Sequence, residues 1–151
     1  MTDERKPVLA LFYCQRIPES DESIRHELEE KFKGSVRLFP LPCSGRMESL
    51  HLLRALEEFA DAAYIITCPD GACRYFEGNR RAKKRVEMAQ DILEVIGLER
   101  ERTGIVINDK IDLKTLSFLA EEIYDRTKQL GPSPVHTKSS KEGLDKAAHA
   151  A

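Results

Sequence analysis

Apolar and polar positions alternate along this chain in blocks. Val8–Cys14 is a continuous apolar run bounded by Pro7 and a polar segment, the pattern of a strand buried on both faces. Ser20–Ile24 follows as an acidic helix start. Ile24, Leu28 and Phe32 then recur every four residues, and Gly34 closes the helix. Val36–Leu41 reads as a second strand, ended by Pro40 and Pro42. A tight turn at Cys43–Arg46 leads into a helix from about Glu48 to Ala60, with Leu52, Leu53, Leu56 and Phe59 on its inner face. Ala63–Thr67 is a third strand, apolar and β-branched.

After a loop at Cys68–Cys73, a long helix is expected from about Asn79 to Ile96. Its apolar stripe is Ala82, Val86, Ala89, Leu93 and Ile96, and Gly97 is its stop. Gly104–Asn108 makes a short fourth strand. Asp112 is positioned to cap a last helix carrying Leu116, Leu119, Ile123 and Leu130, closed by Gly131. The order βαβαβαβα predicts a single α/β domain over 1–131. It is an open, mostly parallel sheet of about four strands covered by helices, of flavodoxin-like or Rossmann-like type. From Pro132 onward Ser, Lys, Gly, Ala and His dominate, so 132–151 is expected to be a disordered tail.

Composition narrows the function classes. In 151 residues, 24 basic and 26 acidic residues leave a net charge of −2, which argues against nucleic-acid binding through bulk charge. No run approaches the roughly 18 apolar residues of a membrane span. The polar, acid-bearing first residues do not resemble a secretory signal, so the expected compartment is the reducing cytoplasm. Structural disulfides are rare there, and four cysteines then point to metal, redox chemistry or plain burial.

Their positions select among these. Cys14 ends strand one, Cys43 lies just beyond strand two, Cys68 ends strand three, and Cys73 shares its loop. In an open parallel sheet the carboxyl ends of all strands lie on one edge, where ligands bind. The four thiols are therefore expected to converge on one rim. Single ligands from separate strand ends suit a two-iron cluster at least as well as zinc, and the spacing alone leaves cluster, zinc and no metal open. A buried cysteine often acts as a small hydrophobe, but four of four at one edge make that reading less apt. Cys68 and Cys73 do not form a CxxC pair, so a thioredoxin-type motif is not supported.

Ser44 and Gly45 follow Cys43, and Gly71 lies between Cys68 and Cys73. Glycine there lets backbone N–H groups approach a ligand, although ordinary turn chemistry also accounts for each. Arg74, Arg80, Arg81, Lys83, Lys84 and Arg85 place six basic residues in twelve positions at the start of helix three. The run opposes the helix dipole and is suited to an anionic cluster or an acidic partner surface; a solvated helix face is the plainer reading. His26, His51, His136 and His149 are scattered, and none is assigned as a ligand. No Ser-His-Asp arrangement or phosphate-binding glycine loop is evident.

The stretches Leu41–Met47, Leu53–Glu58 and Cys68–Val86 resemble the delta subunit of methyl-viologen-reducing hydrogenase, an iron–sulfur family associated with heterodisulfide reductase. The PCSGR and CxxxxCxxxEGN segments carry the resemblance. It runs from about Val8 to Gly97 and takes in the helix over 113–131. It implies a small electron-transfer subunit with one [2Fe-2S] cluster rather than a stand-alone enzyme. Electrons would pass from a hydrogenase or other electron-donating dehydrogenase subunit to the flavin subunit of a heterodisulfide reductase-like complex. By motif, Cys14, Cys43, Cys68 and Cys73 match family cysteines. Ser44, Gly45, Arg46, Gly71 and Arg74 would line or dock the centre, Arg46 and Arg74 offsetting negative charge.

One departure stands out. The family usually carries a CxxC-like pair at the end of strand one, whereas here Gln15, Arg16 and Ile17 follow Cys14, and the loop is shortened. Three other readings keep the same rim. They are a structural zinc module, a thiol-based redox protein, and a flavin-binding domain, for which no Ser/Thr-rich phosphate loop follows strand one.

Overall fold

A computed structural model describes residues 6–41, 47–68, 78–109 and 111–136. Four strands, β1 (Leu9–Cys14), β2 (Val36–Leu41), β3 (Ala62–Thr67) and β4 (Thr103–Ile107), alternate with α1 (Glu22–Lys31), α2 (Ser49–Glu58), α3 (Gly78–Val95) and α4 (Leu116–Leu130). The expected βαβαβαβα order is the observed one. All three strand pairings are parallel, and the sheet order is β2-β1-β3-β4. Residue patterning had left that order open.

Burial follows position in the sheet. Every residue of the central β3 is buried, whereas β2, on an edge, exposes Arg37 and Pro40. Proline costs least on an edge because no outer neighbour needs its missing N–H. One face of the sheet packs Leu9, Leu11, Tyr13, Val36, Leu38, Tyr64 and Ile66 against Leu28 of α1 and Leu116, Leu119 and Ile123 of α4. The other packs Ala10, Ala63 and Ile65 against Leu52 and Leu56 of α2 and Val86, Ala89 and Leu93 of α3. Two apolar layers thus sandwich the sheet, as a two-sided parallel sheet requires.

The helix boundaries have local causes. Asp21 caps α1, its Oδ1 accepting the Ile24 N–H at 2.9 Å. Gly34 ends that helix at φ 81°, its N–H reaching the Glu29 carbonyl. Two expectations need correction. The cap of α4 is Thr115, whose side chain accepts the Phe118 N–H, and not Asp112. Asp112 is held in the preceding loop, where its carboxylate pairs with Lys114 and its N–H bonds Asp109. Ile96 does not join the apolar stripe of α3. The helix stops at Val95, Ile96 turns outward, and Leu98 packs on the core instead, its N–H bonded to the Leu93 carbonyl.

Two single 3-10 turns, Arg100–Arg102 and Pro134–His136, add to the expected elements. Residues 132–136, read from composition as the start of a tail, pack back on the domain. The Ser133 N–H donates to Asp61 Oδ1 at 2.7 Å, and His136 Nε2 lies 2.7 Å from the Leu56 carbonyl oxygen. The remainder of that expected tail, 137–151, lies outside the described residues. Among the described residues no helix is long and apolar enough to cross a membrane.

Candidate metal centre

The sheet order reverses direction between β1 and β3. Chain progress runs from β1 outward to β2, then returns past β1 to β3. In open α/β sheets the crevice beyond the carboxyl ends of two such strands is where ligands bind. Cys14 is the last residue of β1 and Cys68 immediately follows β3. The two cysteines therefore flank that crevice.

Their side chains meet there. The two Sγ atoms are 3.3 Å apart, close enough for one S–H to donate to the other sulfur. The residues are only 3% and 6% exposed, and neither is in a disulfide. Both belong to the apolar cluster that contains Ile17 and Leu116. Sulfur ligands at the corners of a tetrahedral centre, with bonds of about 2.3 Å, lie about 3.8 Å from each other. Opening the observed pair by about 0.5 Å reaches that spacing. The pair thus fits one edge of a thiolate-bound metal centre, in separation and in donor chemistry.

Backbone bonds fix both strand ends. The Gln15 N–H extends the β1–β2 ladder to the Leu41 carbonyl, and the Ile17 N–H turns back to the Cys14 carbonyl. On the other side the Asn108 N–H donates to the Thr67 carbonyl, and the Thr67 hydroxyl donates to the Cys68 carbonyl at 2.9 Å. The amino end of α4 opens beside them, with the Leu116 N–H bonded to the Pro18 carbonyl. A helix amino terminus favours nearby negative charge. Beside Cys14, Tyr13 is fully buried, and that burial pushes its phenol pKa upward, so it remains neutral.

Seven of the residues singled out from sequence, Cys43, Ser44, Gly45, Arg46, Gly71, Cys73 and Arg74, lie outside the described residues. Among the described residues no group of three or more His, Cys, Asp or Glu could hold a metal ion. Cys14 and Cys68 are the half of the expected ligand set that the structure describes, and they come together.

The histidines have local roles. His51 Nδ1 accepts the Glu48 N–H at the start of α2, and His136 meets the Leu56 carbonyl. In the basic run Arg80, Arg81, Lys83 and Lys84 are exposed, and Arg85 differs. It donates to the Met47 carbonyl at 2.6 Å and lies 3.7 Å from the Glu48 carboxylate, while its own carbonyl accepts from the Ser49 hydroxyl. Arg85 thus fastens the start of α2 onto α3. The only sequence signal for this was membership of a charge run.

Sequence reading also missed the loop after β4. Asn108 is buried, its Oδ1 accepting the Asp109 and Lys114 N–H groups and its Nδ2 donating to the Lys114 carbonyl. Asp109 Oδ1 accepts the Ile111 and Asp112 N–H groups. This bracing presents Ile111, 97% exposed, and Leu113 on the cysteine edge of the sheet. The signal available was the turn-forming Asn-Asp pair.

The sequence profile of the family described as methyl-viologen-reducing hydrogenase, delta subunit, matches residues 9–131. The vhu iron-sulfur subunit of the F420-non-reducing hydrogenase of Methanococcus maripaludis is 28% identical over 130 residues, covering 86% of this chain and 97% of its own. The vhc iron-sulfur subunit of the corresponding hydrogenase of Methanococcus voltae is 32% identical over 111 residues, 74% of this chain and 77% of its own. One subunit of the ferredoxin/F(420)H(2)-dependent CoB-CoM heterodisulfide reductase of Methanosarcina acetivorans is 23% identical over 126 residues. That match spans 83% of this chain but 16% of the larger protein.

Proposed function

Because the chain belongs to the methyl-viologen-reducing hydrogenase delta-subunit family, we propose that it is an electron-transfer subunit carrying one [2Fe-2S] cluster. The observation that carries this reading is the pair of buried thiols, 3.3 Å apart, at the ends of the two central strands. Cys14 and Cys68 hold one side of the group. Cys43 and Cys73 complete the four thiolates such a cluster takes. Cys43 follows Leu41, the register partner of Cys14, by two residues, a reach of at most about 7 Å. Cys73 follows Cys68 by five.

When bound, the cluster supplies one-electron chemistry at a potential set by its surroundings. The chain's part is to place and insulate it. Ile17 and Leu116 keep the Cys14 and Cys68 sulfurs in an apolar setting, and the amino end of α4 favours the negative charge of thiolate ligands. Gly45 and Gly71 would permit close backbone approach to the sulfurs, Arg46 and Arg74 would offset their charge, and Ser44 would line or dock the centre. Because Cys14 and Cys68 are buried, a redox partner approaches the group from the side away from them.

The partners follow from the relatives. Those from Methanococcus are hydrogenase subunits, and in the Methanosarcina protein the corresponding stretch is part of a larger heterodisulfide reductase polypeptide. The chain then receives electrons from a hydrogenase or another dehydrogenase subunit. It delivers them to the flavin subunit of a heterodisulfide reductase-like complex in the cytoplasm.

The test is the visible spectrum of the anaerobically purified chain. Absorption from roughly 400 to 600 nm that dithionite bleaches supports the cluster. A colourless chain with about one zinc contradicts it and supports a structural zinc module.

A further inference from the structure

We infer that Cys14 and Cys68, in the unloaded chain, are a thiol–disulfide couple, and that the oxidised form closes the site to metal. The disulfide itself stands on geometry alone. The consequence for loading rests on the proposed cluster reading.

The two sulfurs already touch at 3.3 Å, so bond formation needs an approach of about 1.3 Å, to about 2.05 Å. β1 and β3 are neighbours along Leu9–Tyr13 and Ala62–Ile66, which keeps their ends side by side. Each thiol has the other as a buried neighbour 54 residues away in sequence, and both stand at the ends of paired strands. Ile17 and Leu116, which pack around the pair, carry no nucleophile of their own. Sulfur oxidised first at either position has the other thiol 3.3 Å away to capture it before it advances along the oxidation ladder.

A small peroxide is the class of oxidant that fits a nearly closed site. One thiol sulfur attacks a peroxide oxygen, breaking the O–O bond and giving a sulfenic acid and water. The second sulfur then displaces the sulfenic oxygen, which leaves as water with both remaining protons. Two thiols and one hydrogen peroxide become one disulfide and two waters, the sulfurs losing two electrons and the peroxide gaining them. A dithiol such as dithiothreitol reverses the change by exchange. In the oxidised form both described ligands are occupied by each other, and neither can bind a metal.

The experiment treats the full-length, chelator-stripped chain with one equivalent of hydrogen peroxide. Remaining thiols are then alkylated in denaturant, and the digest is mapped by mass spectrometry. The expected result is one linkage joining the Cys14 and Cys68 peptides, lighter by two hydrogens, reversed by dithiothreitol and still formed in a Cys43→Ser/Cys73→Ser variant. Linkage of another pair, or sulfinic acid at Cys14 or Cys68 without linkage, overturns the inference.

Iron and sulfide are then offered to the oxidised and reduced chains. Uptake lost on oxidation and regained with dithiothreitol is expected. Equal uptake by both overturns the closing of the site. If the reduced chain also takes up nothing, the cluster reading and the closing of the site both fall, and the peptide map still decides the disulfide.

Discussion

The carboxylate of Asp61 accepts the backbone N–H of Ser133 at 2.7 Å across 72 positions of sequence, and with its second oxygen the N–H of Val8 at 2.7 Å. Asp61 is fully buried at the entry to β3. One side chain thus ties the strand before the first crossover and the segment after the last helix to the middle of the sheet. Asp61→Ala strands two amide donors. Hydrogen bonds to charged groups contribute about 1.5–3 kcal/mol each. The expected loss is roughly 3 kcal/mol in urea unfolding, with partial recovery in Asp61→Asn, which keeps one acceptor oxygen.

Arg102 is a second buried anchor at the same end of the sheet. Its guanidinium is 2% exposed and donates to the Glu99 carboxylate at 2.7 Å and to the carbonyls of Asp61 and Gly131 at 3.0 Å. The last of these satisfies the carboxyl end of α4. Lysine cannot reproduce a planar fork with several partners. Arg102→Lys is expected to cost about 3 kcal/mol, lowering Tm by roughly 10 °C in calorimetry.

Tyr64 and Gly104 are register partners on β3 and β4. A Cβ at position 104 would sit 2.5 Å from Tyr64 Cε2, and the Tyr64 hydroxyl is held on the Glu101 carbonyl. The ring cannot swing aside without losing that bond. Gly104→Ala is expected to destabilise by about 1–3 kcal/mol. In a double-mutant cycle with Tyr64→Leu, a coupling of at least ~0.5 kcal/mol is expected. Strict additivity would show that the clash does not matter.

Two carboxylates give the fold a defined acid response. Backbone N–H groups of Ile111 and Asp112 lower the Asp109 pKa, and hydrogen bonding to Arg102 lowers that of Glu99. A group whose folded pKa is depressed stabilises the fold above its unfolded value, about 4, and that contribution is lost as pH falls through the lower folded value. The protection of the Ile111 and Asp112 amides, taken as the observed exchange rate against the intrinsic rate at each pH, should therefore hold at about pH 6 and fall below about pH 4. Asp109→Asn keeps an acceptor and should flatten this dependence.

Much of the architecture is legible in residue order because β1 and β3 are apolar runs, β2 is ended by proline, and glycine follows α1, α3 and α4. The order of strands is not. β1 and β3 are both continuous apolar runs, and nothing in their composition says which neighbours each takes. Asp112 and Thr115 are both good caps, and the choice between them is made by Asn108 and Asp109, whose side chains wind the intervening loop. Ile96 fits the period of α3 but falls after the last helical turn. At the candidate site the meeting of Cys14 and Cys68 follows from strand ends sharing one edge. The distance between them depends on β1 and β3 being adjacent, which sequence does not reveal.

The central claim is that these two thiols are ligands of an iron–sulfur cluster. Its most direct test is iron and acid-labile sulfide per chain in the anaerobically reconstituted protein and in its Cys14→Ser and Cys68→Ser variants, with circular dichroism confirming that each remains folded. About two irons and two sulfides are predicted in the parent chain, with loss of most of both in either variant. Full iron and sulfide in folded Cys14→Ser or Cys68→Ser would contradict it.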